Sequence, residues 1–478
     1  MQKIFVFLMV LLMLPAVCAA ETSEVFPVDK ELFPYYPSLL NMEKGGVDFT
    51  PPQTCGGCHP EQFEQWQGSV HALAFVDPVY QGELNKAAKA VGTDVTRQCE
   101  GCHTPAGMMQ GETDGAGFSG LTDMAMNGVS CDICHSVSGT THWQTPTHEP
   151  ENGSLVLAPG VDGKRVKRTP FEPSDGCGGG FHECEESSLI NSADLCAGCH
   201  QVYHYEKHFP IESTYQEWKH SPYAQRNIAC QDCHMVETDT FLRVADNMEK
   251  PDREEYRHYF NGANYLLYHL AKGSAIKAGD EALAENLDHK YNMAVKRLQS
   301  AAGLELTPVY NNGALIELKV RVQNLRAGHN LPTSLTNVRQ MWLEVTMRDE
   351  EGNVLLSSGT LDDNGQLDGD TRLFNSDGMG DDFHFAIDPW VITSFSKHET
   401  IPPRGYKDVR YAVPFSAGEN VQVEVRLRYR QADQKVAEAL LAAVPDDIDL
   451  KQTYGLEAVP ALPVVDMVTK TARLETAE

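Results

Sequence analysis

The sequence is short of positive charge. Against 67 acidic side chains it carries 39 Lys and Arg, for a net charge of −28 at neutral pH. So acidic a surface repels phosphate backbones and anionic headgroups. That argues against nucleic acid and membrane surfaces as partners and favours a basic patch on a redox protein, or a mineral or metal cation. Long apolar runs are also missing: past residue 20 no segment approaches the roughly 20 apolar residues a membrane span needs. No acidic stretch has EF-hand spacing, so DDNGQLDGD (362–370) and SDGMGDD (376–382) read as solvated turns rather than calcium sites.

The one apolar run, residues 1–20 (MQKIFVFLMVLLMLPAVCAA), has a single Lys, a hydrophobic stretch and a small-residue site ending at Ala20. That is the pattern of a secretory leader. Cys18 suggests a lipid anchor, but Val17 before it is larger than such sites tolerate. The expected location is the periplasm, or beyond it the outer cell surface or the extracellular space.

What the chain has in quantity is cysteine in one pattern. Ten of its 13 cysteines form five Cys-x-x-Cys-His units: Cys55-Cys58-His59, Cys99-Cys102-His103, Cys131-Cys134-His135, Cys196-Cys199-His200 and Cys230-Cys233-His234. Two thiols three residues apart reach the two vinyl groups of one porphyrin, and the next residue turns its imidazole onto the iron. A run of Cys₂His zinc knuckles would not require His directly after the second Cys each time. The expectation is five covalently bound haem c groups, with those ten cysteines as thioethers and those five histidines as proximal ligands. All five units fall within residues 55–234, too close for each haem to own a protein core. The porphyrins must therefore form much of the core, stacked on one another. Cys177 and Cys184, in CGGGFHEC, remain as a candidate disulfide of an exported chain; the sharper alternative is a metal or redox site with His182.

Residues 21–54 are Pro- and aromatic-rich and read as an extended arm. An internal repeat runs aromatic-x-x-Trp-x-x-Ser-x-(His/Tyr)-Ala, at Phe63-Trp66-Ser69-His71-Ala72 and again at Tyr215-Trp218-Ser221-Tyr223-Ala224. This puts aromatic, Trp and Ser on one helical face, as a helix flanking a haem or as a plain core stripe. Residues 111–120 and 140–174 read as loops. Residues 262–303 read as two helices broken at Gly273 or Gly279, buttressing the haems. After Leu304 the period becomes two: Ile316, Leu318, Val320 and Val322 alternate with charged or polar residues, 341–347 and 354–357 form a second pair about a turn, and 421–429 alternates again. The expected fold class is multidomain α+β: a leader (1–20), a mainly helix-and-loop cytochrome domain with stacked c-type haems (21–304), and an antiparallel β-sandwich domain (305–478).

Thirteen histidines lie outside the motifs, enough to give every iron a second His. His71, His258 and His329 lead the distal candidates. His71 follows a haem at helical distance, His258 lies just beyond the last motif, and His329 sits in AGHNLPT, held by Gly328 and Pro332. His204, His208, His220 and His142 come next; Met108, Met109 and Met235 are close enough in sequence to consider.

The Trp-x-x-Ser-x-His-Ala helix, the TYQEW…CQDCHM block and the R-x-H-x-F-x-G stretch after it resemble the multihaem cytochrome c superfamily. That group includes the tetrahaem partner of hydroxylamine oxidoreductase and the pentahaem, ammonia-forming nitrite reductases. The stretch AGHNLPT…MWLEVTMRDEEGNVLLSSG is similar to a sandwich domain appended to some exported multihaem cytochromes. The resemblance spans most of residues 50–360. It implies a carrier passing electrons through close-packed haems between redox proteins, or to an extracellular acceptor, with no catalytic residues of its own. In that reading the sandwich docks partners or further copies, as a homo-oligomer or end to end. The nitrite reductases carry Cys-x-x-Cys-Lys at their catalytic haem and this chain has none, so a reductase of a nitrogen or sulfur oxyanion is the alternative. It would use one five-coordinate haem beside Tyr203, His204 and Tyr205. A scaffold role with haems as staples is a third reading.

Overall fold

The structure is a computed structural model that describes residues 39–475 apart from 44, 415–419 and 458. The expected leader, and the expected arm as far as residue 38, lie outside the described residues.

Proline sets the grain of the motif-bearing half. Pro52–Gly56, Pro60–Trp66, Pro78–Val91, Pro105–Gln110 and Pro222–Gln225 each begin on a proline. At that position its fixed φ suits a helix and its missing N–H has no intrahelical partner to lose. The chain therefore advances in short helices, none of these five longer than the 14 residues of Pro78–Val91. Four motifs end such helices: Thr93–His103, Cys131–His135, Ala193–His200 and Cys230–His234. The expected loop at 140–174 instead contains short strands. Leu155–Leu157 lies between Asn41–Met42 and Val137–Thr140, and Lys164–Thr169 pairs in parallel with Glu183–Glu186. These strands are too short for their alternation to register. A disulfide joins Cys177 and Cys184 beside them.

Two helices follow, Tyr265–Ala278 and Glu281–Ala301. The break is at Gly279, in left-handed conformation with φ 74°, where a side chain would be strained. Gly273 stays helical.

Beyond them, Ala302–Asn311, Ala314–Asn324 and Tyr406–Ala412 form one antiparallel sheet. Val354–Ser358, Gln340–Arg348, Asn420–Arg430 and Val465–Glu475 form a second, with Arg372–Phe374 alongside. Leu318, Val320 and Val322 from one sheet share a core with Met341, Leu343, Val345, Val423 and Val425 from the other, and with Tyr268, Leu287 and Leu298 of the helix pair. That core runs through residue 304 without a seam. Ile316, expected inward, is exposed, because a bulge between Leu315 and Glu317 turns Leu315 inward in its place.

The sequence reading also missed the helix Gln434–Ala442, which lies on Pro78–Val91. A Cβ at Gly82 would stand 1.9 Å from the Leu440 carbonyl oxygen. Gly82→Ala is expected to lower stability by about 1–3 kcal/mol, as overpacking of a tight contact does. Thermal unfolding of the holoprotein checks it.

The sheet-bearing half is tied to the motif-bearing half by charge as well. Arg326 forks onto Asp246 at 2.7 and 3.0 Å, Lys86 meets Asp388 at 2.5 Å, and Glu217 accepts hydrogen bonds from Asn330 and Thr333.

Candidate haem cavity

One continuous, mainly apolar cavity of about 1470 Å³ runs through the motif-bearing half. Its lining includes all ten motif cysteines and all five motif histidines, together with His71, His258 and His329.

The Trp repeat builds part of its wall. Trp66 Nε1 donates to the Val129 carbonyl and Trp218 Nε1 to that of Ile228, each two residues before a motif, at 2.9 and 2.8 Å. Ser69 and Ser221 Oγ accept from the N–H groups of Ala72 and Ala224. The two copies therefore do the same work, anchoring the approach to Cys131 and to Cys230. At the next position the first copy offers His71; the second offers Tyr223, whose hydroxyl donates to the Ala245 carbonyl.

Three motif histidines face a second imidazole. His71 faces His200 with ring centres 6.3 Å apart, His258 faces His135 at 6.4 Å, and His329 faces His234 at 6.2 Å, with interplanar angles of 28°, 27° and 18°. Two imidazoles on opposite sides of one metal, each bonded at about 2.0 Å, place their ring centres roughly 6.4 Å apart. The spacing therefore fits one iron between each pair.

Tautomers are set as such a site requires. His103 Nδ1 donates to Ala74 O at 2.9 Å, His135 Nδ1 to Arg168 O at 2.6 Å and His234 Nδ1 to Asn261 O at 2.8 Å. Each leaves Nε2 for a metal. His329 Nδ1 is likewise engaged with Asn330 O, whereas the buried Nδ1 atoms of His71 and His258 have no hydrogen-bond partner. Burial disfavours the imidazolium, pushing His71 and His234 down to about 3 and His258 to about 4. His200 runs the other way: burial works against its charge, but a hydrogen bond and the charge of Glu212 outweigh it and raise the ring to about 9.

The remaining distal candidates are placed elsewhere. His204 has both ring nitrogens engaged, Nε2 donating to Trp390 O and Nδ1 accepting from the Glu206 and Lys207 amides. His208 Nε2 binds Glu151 at 2.6 Å, with its ring stacked on Tyr203. His220 is exposed and bonds Gln216 O, and His142 bonds Thr140. None of the four lines the cavity, nor do Tyr203 and Tyr205. Each is held by nearer hydrogen-bonding groups, which sequence distance from a motif does not reveal. Of the methionines considered, Met235 lines the cavity and Met108 is buried in a separate apolar cluster.

Two charged residues of the lining went unnoticed in the sequence. Glu212 returns beside His200 because Val202–Tyr203, just after the motif, pairs with Pro210–Glu212. Arg297 donates to the carbonyls of Cys233 and Val236, both at 2.6 Å.

Among the described residues no three His, Cys, Asp or Glu side chains converge as a bare metal ion would require. Burial also holds the thiols of Cys99, Cys134 and Cys233 up at about 12. Apolar surroundings suit a neutral thioether better than a thiolate. Paired thiols, an adjoining imidazole and apolar walls are the features that covalent attachment of a c-type haem requires.

Residues 54–136 match a family model described as cytochrome c554 and c-prime. The crystal structure of a penta-haem cytochrome c552 from Thermochromatium tepidum is similar over 90 % of this chain and 99 % of its own, with a TM-score of 0.59 at 18 % identity. At that identity the likeness is one of fold. No curated protein matches the sequence. Among the described residues no helix is long and apolar enough to cross a membrane.

Proposed function

We propose that the chain is an exported electron carrier holding five c-type haems, one at each motif, and passing electrons between redox partners through close-packed centres. The observation that carries this reading is the set of three facing imidazole pairs in one cavity with all ten motif thiols. Covalent haem supplies reversible one-electron chemistry when bound. This chain's part is to attach, ligate and insulate it. In the proposal the thioethers are Cys55 and Cys58, Cys99 and Cys102, Cys131 and Cys134, Cys196 and Cys199, and Cys230 and Cys233. His59, His103, His135, His200 and His234 are the proximal ligands, with His258 opposite His135, His71 opposite His200 and His329 opposite His234.

Thiol contacts support an order. The Cys55 sulfur lies beside that of Cys131, Cys102 beside Cys199, and Cys196 beside Cys230. Cys134 lies close enough to Cys196 and Cys199 to perturb or be perturbed by them. The fourth motif is thus a junction touching the second, third and fifth, and the first joins through the third. The acidic surface favours a basic partner.

Redox titration of the mature protein, followed by visible absorption and EPR, tests this. Five reducible c-type haems, with at least three low-spin, are expected; fewer than five, or a chain without covalent haem, would overturn it. One observation favours a second reading. Among the described residues no imidazole faces His59 or His103, and His103 stacks on Tyr80 at 3.9 Å. A high-spin centre that binds nitrite or cyanide would point to oxyanion reduction there.

A further inference from the structure

Three of the motif histidines donate Nδ1–H to a neutral backbone carbonyl: His103 to Ala74, His135 to Arg168 and His234 to Asn261. His200 is different. Its Nδ1 lies 3.3 Å from Oε1 of Glu212, a carboxylate whose side chain is 13 % exposed. The carboxylate is fixed in place by the pairing of Pro210–Glu212 with Val202–Tyr203, and the Ser334 hydroxyl and the Arg339 charge also act on it. The adjoining fifth site carries the opposite sign: the buried Arg297 guanidinium grips the Cys233 and Val236 carbonyls and faces the same cavity.

Both effects of a carboxylate at this position act in one direction. Accepting the Nδ1 proton's hydrogen bond gives the imidazole anionic character and makes it a stronger donor to iron. The negative charge also favours the ferric state, which carries one more positive charge than the ferrous, and in an apolar cavity this attraction is weakly screened. The ferric form is stabilised more, so the midpoint falls.

We propose that Glu212 is a tuning residue that holds the haem attached at Cys196 and Cys199 at a lower potential than the haems whose proximal histidines face backbone carbonyls. The inference rests on the five-haem reading and deepens it. The junction of the chain is then the centre on which electrons rest least, and they pass through it toward the neighbouring site beside Arg297.

Potentiometric EPR of the holoprotein tests the proposal. His71→Ala marks the signal of this haem, because the ring facing His200 is removed. In Glu212→Gln, which removes the charge and keeps the shape, the midpoint of that signal is expected to shift upward while the others stay in place. In Glu212→Asp, whose shorter arm draws the carboxylate back from Nδ1, a smaller upward shift is expected. An unchanged or lowered midpoint in Glu212→Gln with all five haems bound overturns the proposal, as does movement of a signal that survives in His71→Ala. If Glu212→Gln fails to retain haem, Glu212→Asp decides: no upward shift overturns the proposal. Fewer than five haems in the unaltered protein would sink the five-haem reading itself, a result separate from any of these.

Discussion

Alanine at His71, His258 or His329 is expected to abolish one low-spin EPR signal each and produce one high-spin signal in its place. The three variants should remove three different signals, because the partners are different: His200, His135 and His234. Phe260 is the ring against His71, at 4.5 Å, and it has no donor atom. A bound axial imidazole sets both spin state and potential, so the affected haem should also gain affinity for cyanide. Alanine at His204, His208, His220 or His142 is expected to leave every signal in place, since each is engaged outside the cavity. Unchanged spectra in all three cavity variants would mean that the facing pairs do not hold iron.

Blocking haem attachment should have the largest effect on folding. An unfilled, mainly apolar cavity of about 1470 Å³ leaves its lining exposed to water and forgoes the burial that holds a fold together. Domains are stable by only about 5–15 kcal/mol, so the motif-bearing half cannot keep this shape without something filling it. Chain produced without haem attachment is expected to lose near-UV ellipticity and to be cut rapidly between residues 45 and 262. The two antiparallel sheets, whose core of Leu318, Val320, Val345 and Val425 needs no haem, should persist as a more resistant fragment. A single cooperative unfolding transition of the haem-free chain, with the motif-bearing half protected, would contradict this.

Which features could be read from sequence follows from how local each one is. A Cys-x-x-Cys-His unit is complete within five residues, so the attachment points are legible. The alternation over 421–429 is plain because Asn420–Arg430 is long and buries its apolar residues on one face. His71, His258 and His329 stood out through their neighbours in sequence, and the fold sets all three opposite motif histidines. Other features depend on distant contacts. Glu212 reaches His200 only through a hairpin of two- and three-residue strands, and the bulge beside Ile316 depends on pairing with Ala302–Asn311. The helix Gln434–Ala442 is anchored by Gly82, some 350 residues away in the chain. His204 and His208 rank below His71, His258 and His329 in sequence, and the groups that engage them, Trp390 and Glu151, lie 186 and 57 residues away.

His329 has a consequence for how the protein is made. The segment ending at His234 is synthesised well before the loop that carries the facing ring, so in the five-haem reading the last attachment site begins its life with one side bare. Maturation must therefore tolerate an unfinished centre until the C-terminal sheets fold and deliver the missing imidazole. On that reading a premature stop in the second half of the gene would leave the fifth site without its facing ring, and not simply a shorter chain.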